Sequence, residues 1–297
     1  MNPNRLSNPF HLPALSEGND LLLSERRILP HLTTERIGRS LIVLEETDST
    51  NSHLSRGIRE GVSDFPEGAV VAAEFQSAGR GRHGRKWVSP PGRNLMFSIL
   101  FRSFPLPPTM ATLIGALSVI GEAADLGACV GLKWPNDIVA NSESAQTVAE
   151  PLIERKVGGV LCETKASAEN NGALILGIGV NVNLYHSELP EELGNNATSL
   201  AILAGGQIDR NRLLAGILNR VESNCSVASV EGPAPIIDMA RRCCTTLKRR
   251  VRIQCGCDQF EGESVDLDPQ GRLILRDSTG VLRSIESGEV IQTRRIT

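Results

Sequence analysis

The chain has 297 residues, 40% of them hydrophobic and 22% charged, with a formal net charge of −3. That composition suits a globular protein with one large domain and a small one, and the mildly acidic balance argues against a duplex-binding face. Only 3% of the residues are aromatic, so the core has to be built from aliphatic side chains.

Residues 1–20, rich in Asn, Pro and Ser, read as a disordered tail. No secretory h-region precedes a cleavage site, and no apolar run reaches the ~20 residues needed to span a bilayer. Glu17 and Asp20 argue against a transit peptide, which leaves the cytoplasm as the expected compartment and no membrane partner. LLLSERRILPHL (21–32) predicts a short helix. SLIVLEE (40–46) predicts a strand that runs into a polar turn at Asp48-Ser49-Thr50-Asn51. AVVAAEF (69–75) and NLMFSILF (94–101) are apolar runs of strand length. Pro107 and Pro108 precede Thr109, the expected N-cap of MATLIGALSVIGEAADL, which is apolar nearly all round and stops at Gly127. A helix of that kind is buried against a sheet.

Beyond it lie VGLKWPNDIVA, an extended loop expected over 141–155, and the strands KVGGVLCETK and ALILGIGVNVN around a turn at Glu169–Gly172. Amphipathic helices are expected around 208–224 and 235–246. After Lys248 the texture changes. VRIQC, QFEGESVDL, RLILRD, VLRSI and VIQTR are short strands split by turns at 268–271, 277–280 and 287–288, which predicts a small all-β barrel. The whole reads as α+β with a β appendage.

The seven cysteines, Cys129, Cys162, Cys225, Cys243, Cys244, Cys255 and Cys257, are odd in number and have no framework spacing. Neither Cys243-Cys244 nor Cys255-Gly256-Cys257 has the two-residue gap of a zinc knuckle, so reduced, partly buried thiols and no metal site are expected.

Between Gly79 and Lys86 stand three glycines and four permanent cations, with His83 among them and Trp87 following. Gly79 and Gly84 have P-loop spacing, but Arg85, Lys86 and Trp87 follow where that motif needs Lys and then Ser or Thr. The Gly79-x-Gly81-x-x-Gly84 pattern fits a dinucleotide fingerprint, yet Arg-Lys-Trp-Val-Ser-Pro-Pro-Gly cannot open the helix that binds the pyrophosphate. A solvated basic turn and a flexible clamp for an anion are the readings left. Glycines let backbone amides approach closely and arginine forks fit phosphate or carboxylate oxygens, so the clamp needs support from elsewhere in the chain.

Support comes from Lys133-Trp134-Pro135-Asn136-Asp137, which holds the second of only two tryptophans, and from the glycine-punctuated strands at 156–160 and 177–183. DSTN (48–51), GRGRHGRKW (79–87), KWPND (133–137), KVGGVLCE (156–163) and GIGVNVN (177–183) resemble, in that order, the motifs of the biotin protein ligases. The β module ending in Gly288-Glu289-Val290 resembles that family's C-terminal domain, and the likeness spans about residues 25–297.

The resemblance implies a mixed-sheet catalytic domain packed with helices (21–247) and a small SH3-like barrel (248–297). It implies an enzyme that activates biotin with ATP and Mg2+ as biotinyl-5′-AMP and passes it to a lysine of a biotin carboxyl carrier protein. Ser49, Thr50, Asn51 and Gln76 would bind the ureido head; Arg80, Gly81, Arg82 and Lys156 would close over the carboxylate and acyl phosphate. Trp87, Lys133, Asn136, Asp137 and Asn181 would face the nucleotide. Arg82, Lys156 and Asp137 would carry the chemistry, with Asp137 either assisting magnesium or taking a proton from the lysine. The family needs no enzyme nucleophile, and no Ser/His/Asp or Cys/His signature is present. Family members often have a basic residue at the His83 position, and a shorter connection than 141–155. The short stretch before residue 21 leads to the expectation of a form without the N-terminal DNA-binding module, acting as monomer or homodimer with no DNA partner. The alternatives are a lipoate or octanoate ligase of the same fold, and a non-catalytic biotin-sensing regulator.

Overall fold

A computed structural model describes residues 22–60, 65–141, 154–165, 173–185, 188 and 196–295. The expected tail at 1–20, the turn at 169–172 and most of the 141–155 connection lie outside these residues. What is described of that connection belongs to strands, with Asn141 ending one and Glu154 and Arg155 opening the next.

The chain opens with a short helix α1 (Glu25–Ile28) and a 3-10 turn (Leu29–His31), then strand β1 (Leu41–Thr47). Helix α2 (Thr50–Arg59) follows immediately from the polar turn expected at 48–51, where Ser49 and Thr50, read by residue type alone, suit a helix cap. Ser49 takes the N-cap position with extended backbone, and Leu54 is wholly buried one turn before Ile58. Next come β2 (Val70–Gln76), β3 (Leu95–Phe101) and α3 (Pro108–Asp125). Thr109 is not the N-cap of α3. Pro107 holds that position with Pro108 at N1, and the Thr109 hydroxyl donates instead to the Gln270 carbonyl at 2.7 Å. Proline suits the first turn because its missing N–H would have no helical partner there.

Strands β4 (Gly131–Lys133), β5 (Asp137–Asn141), β6 (Glu154–Lys165) and β7 (Ala173–Val180) complete a seven-stranded sheet in the order β1-β2-β3-β7-β6-β5-β4. The β1–β2 pair is parallel, joined by the α2 crossover, and the other neighbours are antiparallel, so the sheet is mixed. A short α4 (Leu200–Ala204), unforeseen in the sequence, precedes the long α5 (Arg210–Glu231) and α6 (Ala234–Cys243). Asp209 caps α5 by accepting from the Asn211 and Arg212 amides.

The two-residue period of the strands sorts their side chains onto two faces. Leu95, Phe97, Ile99, Leu174, Leu176 and Ile178 join α3, α5 and α6 in the large core. Gly115 lets α3 press close, since a Cβ there would lie 3.2 Å from Ile178. Val71, Leu100 and Ile175 point the other way, into a smaller core under α2 with Leu54 and Phe65.

Strands β8 (Arg249–Cys255), β9 (Asp258–Leu267), β10 (Leu273–Arg276), β11 (Leu282–Ile285) and β12 (Glu289–Arg295) form an antiparallel five-stranded sheet, β11-β10-β9-β8-β12, the SH3-like module. Val251, Ile253, Leu267 and Leu273 belong to the same core as the larger sheet. Trp134, 2% exposed, ties the two together. Its backbone amide donates to the Thr246 hydroxyl and its indole N–H donates to the Gly271 carbonyl, each at 3.0 Å. Among the described residues no helix is long and apolar enough to cross a membrane.

Candidate functional site

The face of the sheet that carries α2 has a gap in its side-chain cover. Gly159 pairs with Gly179 across β6 and β7, and Gly177 lies opposite Ser98 on one side and Leu161 on the other. These glycines fall on the same face as Met96, so the sheet there shows little but backbone. A cavity of about 480 Å3 stands on this floor. A Cβ on Gly177 would lie 2.2 Å from Asn51 Oδ1, and one on Gly179 would lie 2.9 Å from the Trp87 ring. Glycine is needed there for what lies above it.

One end of the cavity is lined by uncharged polar side chains. The Thr50 amide and hydroxyl donate to Gln76 Oε1 at 2.8 and 3.2 Å. The Ser98 hydroxyl lies 2.7 Å from Thr50 Oγ1 and 2.6 Å from Asn51 Oδ1. Asn51 Nδ2 donates to Glu163 Oε2 at 2.8 Å and to the Leu161 carbonyl at 3.4 Å, so its amide is held at both ends. Ser49, Thr50 and Asn51 are all buried. Asp48 steadies this start of α2. Its hydrogen bonds from Arg56, at 2.6 and 3.0 Å, draw its carboxyl down to about 2. A depressed carboxylate stabilises the fold above its unfolded value of 3.8, and that contribution fades as pH falls through about 2. Arg56→Ala should therefore return the Asp48 titration, followed by NMR, towards 3.8. The stability margin of the parent over the variant should shrink below that pH, and a margin independent of pH would contradict the pairing.

The other end is cationic. The basic stretch folds back as a tongue, with Trp87 N donating to the Gly79 carbonyl (2.9 Å) and Gly81 N to the Arg85 carbonyl (2.7 Å). His83 and Gly84 turn its tip at φ 54 and 74. No helix begins at Gly84, as the dinucleotide fingerprint would require. Arg80 pairs with Glu163 at 2.8 Å. Arg82 donates to Asn136 Oδ1 at 2.9 Å and to the Gly288 carbonyl at 3.3 Å, and Arg85 pairs with Glu289 at 2.7 Å. The turn between β11 and β12 thus braces the tongue. Burial lowers the Arg82 pKa, with Asp137 and Glu289 acting in the opposite direction, and a guanidinium so placed stays charged. Lys156 reaches Asp137 at 2.7 Å and lies 6.0 Å from the Trp87 ring centroid.

The fold brings Ser49, Thr50, Asn51, Gln76, Arg80, Gly81, Arg82, Trp87, Asn136, Asp137, Lys156 and Asn181 to this one cavity wall. Lys133 is not part of it; that lysine pairs with Glu154 at 2.9 Å. Asn181 lines the wall with its side chain engaged by Asn94, the Lys156 carbonyl and the Thr198 carbonyl. Ser98 and Glu163 were not singled out in the sequence. Ser98 is the one polar residue of the apolar run LMFSILF, while Glu163 stands in the polar end of β6 among Thr164 and Lys165; for both, the period-2 alternation that turns them towards α2 was the available signal. Cys162 offers no nucleophile near the site, because burial, with Glu163 adding to it, pushes its thiol up to about 12.

Taken together, the cavity fits a ligand with an uncharged hydrogen-bonding head and an anionic tail. Residues 43–181 match the biotin/lipoate A/B protein ligase family, and residues 246–291 match the biotin protein ligase C-terminal domain. The biotin–[acetyl-CoA-carboxylase] ligase of Mycobacterium tuberculosis is 32% identical over 281 residues, covering 92% of this chain and 96% of that protein. The bifunctional ligase/repressor BirA of Bacillus subtilis is 32% identical over 274 residues, covering 90% of this chain and 78% of its own. Among solved structures, the biotin protein ligase of Aquifex aeolicus in complex with biotin and ATP superposes with a TM-score of 0.71. It is 30% identical and matches 87% of this chain and 100% of its own.

Proposed function

Because the chain belongs to the biotin protein ligase family and is a ligase, we propose that it joins biotin to a carrier protein in two steps through biotinyl-5′-AMP. In the first, biotin's carboxylate oxygen attacks the α-phosphorus of ATP, the bond to the β-phosphate breaks, and pyrophosphate leaves. In the second, a lysine nitrogen on a biotin carboxyl carrier protein forms an amide with the acyl carbon, and AMP leaves.

The observation that carries this reading is the polarity of the cavity. Ser49, Thr50, Asn51 and Gln76 offer neutral donors and acceptors at one end, with Ser98 supporting Thr50 and Asn51 from behind, as a ureido ring requires. The dithiolane of lipoate or the chain of octanoate brings no hydrogen-bonding group to replace the water it would displace from this end, so a site of this polarity discriminates against them. Arg82, Arg85, Lys86 and Lys156 line the same cavity beyond Arg80, where a carboxylate and a triphosphate must approach against their mutual repulsion. Trp87 walls the nucleotide side, with Asn136 and Asn181 on the same wall. Among the described residues no three His, Cys, Asp or Glu side chains are grouped as a metal site. Mg2+ is expected to enter with ATP, held mainly by the phosphates, and Asp137, 2.7 Å from Lys156, is placed either to assist that ion or to accept the acceptor lysine's proton.

ATP–pyrophosphate exchange tests the reading. Biotin should drive exchange at least about 100-fold faster than lipoate or octanoate, in line with a site built to hydrogen-bond its ligand. Exchange driven by lipoate and not by biotin would refute it. The floor gives a second check. Gly177→Ala forces the Asn51 amide away from Ser98 and Glu163, and losing one or two such bonds should weaken biotin binding by about tenfold. Calorimetry with the variant, beside a melting curve that shows it folded, would read this directly, and unchanged affinity would remove Asn51 from the head site.

A further inference from the structure

Glu163 and Ser98 stand behind the wall of the main cavity rather than in it, yet both are tied to its uncharged end. The tie has a direction. A carboxylate only accepts hydrogen bonds, so the 2.8 Å contact between Asn51 and Glu163 Oε2 carries an amide N–H. The Leu161 carbonyl, 3.4 Å from the same nitrogen, makes the same demand. That turns Asn51 Oδ1 towards Ser98 Oγ at 2.6 Å, and an amide oxygen cannot donate. The single Ser98 proton is therefore spent on Asn51, and Ser98 Oγ, 2.7 Å from Thr50 Oγ1, is left to accept. The Thr50 proton then has two acceptors within the protein, Ser98 Oγ and, at 3.2 Å, Gln76 Oε1. Whichever holds it, Thr50 Oγ1 has only lone pairs to offer a ligand. So has Gln76 Oε1, which the Thr50 amide fixes at 2.8 Å.

We infer that Glu163 is a positioning residue for substrate selection: relayed through Asn51 and Ser98, its carboxylate fixes the head site as a hydrogen-bond acceptor, which selects a ring that presents N–H groups. The inference rests on the proposed ligase reading and deepens it. In a low-dielectric interior each bond of such a chain polarises the next, so holding one end sets the direction of the whole. A neutral amide at position 163 presents either its oxygen or its NH2 to Asn51. The Asn51 amide is then free to flip, Ser98 and Thr50 reverse with it, and Thr50 donates to a ligand as readily as it accepts. The same carboxylate oxygen also accepts from Arg80 at 2.8 Å. That pairing neutralises a tongue cation and keeps the Glu163 charge from standing alone behind a neutral ligand.

Two cyclic carbamates of biotin, each with one ring N–H replaced by oxygen, read this polarity at almost unchanged shape. Their binding and that of biotin are measured by calorimetry on the whole chain, for the parent, Glu163→Gln, Ser98→Ala and the double variant, each shown folded by a melting curve. The parent is expected to bind at least one carbamate about thirtyfold or more weakly than biotin, because the new ring oxygen meets Thr50 or Gln76 lone pair to lone pair. Glu163→Gln and Ser98→Ala should each compress that ratio to about fivefold or less, and the double variant should compress it no further, since both cut the same chain. A parent that takes both carbamates within about threefold of biotin would have no fixed polarity, and the inference would fall. It would fall too if Glu163→Gln weakened biotin and carbamates equally, which is the mark of a structural prop. Compression in Glu163→Gln but not in Ser98→Ala would route the effect through Arg80 and overturn the chain. Should Glu163→Gln fail to fold, an uncompressed ratio in Ser98→Ala would overturn it unaided. If the parent bound no biotin at all, the ligase reading would fail instead.

Discussion

Lys156→Ala is expected to lower the rate of adenylate formation by about 10²–10³-fold while changing biotin affinity only a few-fold, the pattern of a charge that acts mainly as the transition state forms. Lys156 is positioned for that role by its surroundings. Its ammonium is anchored 2.7 Å from Asp137 and lies near the Trp87 ring. Its backbone carbonyl accepts from Thr198 N at 2.9 Å, fixing the strand from which the side chain rises. The absent side chain of Gly159 leaves the space the lysine uses, since a Cβ there would come within 3.4 Å of its Cε and Nζ. Lys156→Arg should rescue poorly, because a planar fork does not occupy the room of a compact ammonium. Single-turnover formation of biotinyl-5′-AMP, with biotin titrated separately by calorimetry, divides the two effects. If the whole loss appeared as weaker biotin binding, Lys156 would be a ground-state contact and the electrostatic argument would be wrong.

How much of this site could be read from the chain alone depended on whether a residue's neighbours are near in sequence. The apolar runs at 69–75 and 94–101 became β2 and β3 nearly residue for residue, because a buried strand is a local pattern. The glycines at 159, 177 and 179 were legible as places where something approaches closely. That the visitors are the Asn51 amide and the Trp87 ring follows only from a sheet order in which β7 lies between β3 and β6. Glu163 belongs to the same class. Its partners Asn51 and Arg80 stand 112 and 83 residues away, and no spacing rule reaches that far. Helix α2 was legible only at its cap, for another reason. Only Leu54 and Ile58 mark its apolar side, and Asp48-Ser49-Thr50-Asn51 serves equally as a turn or as the start of a helix. Thr109 misled in the opposite way, offering a good capping side chain one residue inside a helix that prolines had already begun.

The second large effect lies away from the chemistry. Arg210→Met is expected to destabilise the fold by about 3–5 kcal/mol, whereas Glu74→Leu combined with Arg210→Met should fall within about 1–2 kcal/mol of the parent. The Arg210 side chain is 0% exposed, and its two terminal nitrogens meet Glu74 at 2.8 and 3.0 Å in a forked pair. Removing the arginine leaves a carboxylate, 10% exposed, with its partner charge gone, and that loss exceeds anything the pair contributed. Replacing both removes the burial penalty along with the attraction. Arg210 also donates to the Asn94 carbonyl at 3.0 Å, and the Asn94 side chain in turn holds Asn181 Oδ1 and Val182 N. The pair therefore props the end of β7 where the cavity wall begins. Denaturant melts of the two single variants and the double variant form a cycle that isolates the coupling. Biotin affinity should fall in Arg210→Met even below the denaturant concentrations that unfold it, and should recover in part in the double variant. Two single variants that lose little stability, with a double variant equal to their sum, would mean that the pair is solvated in solution, and the proposed support of Asn181 through Asn94 would go with it.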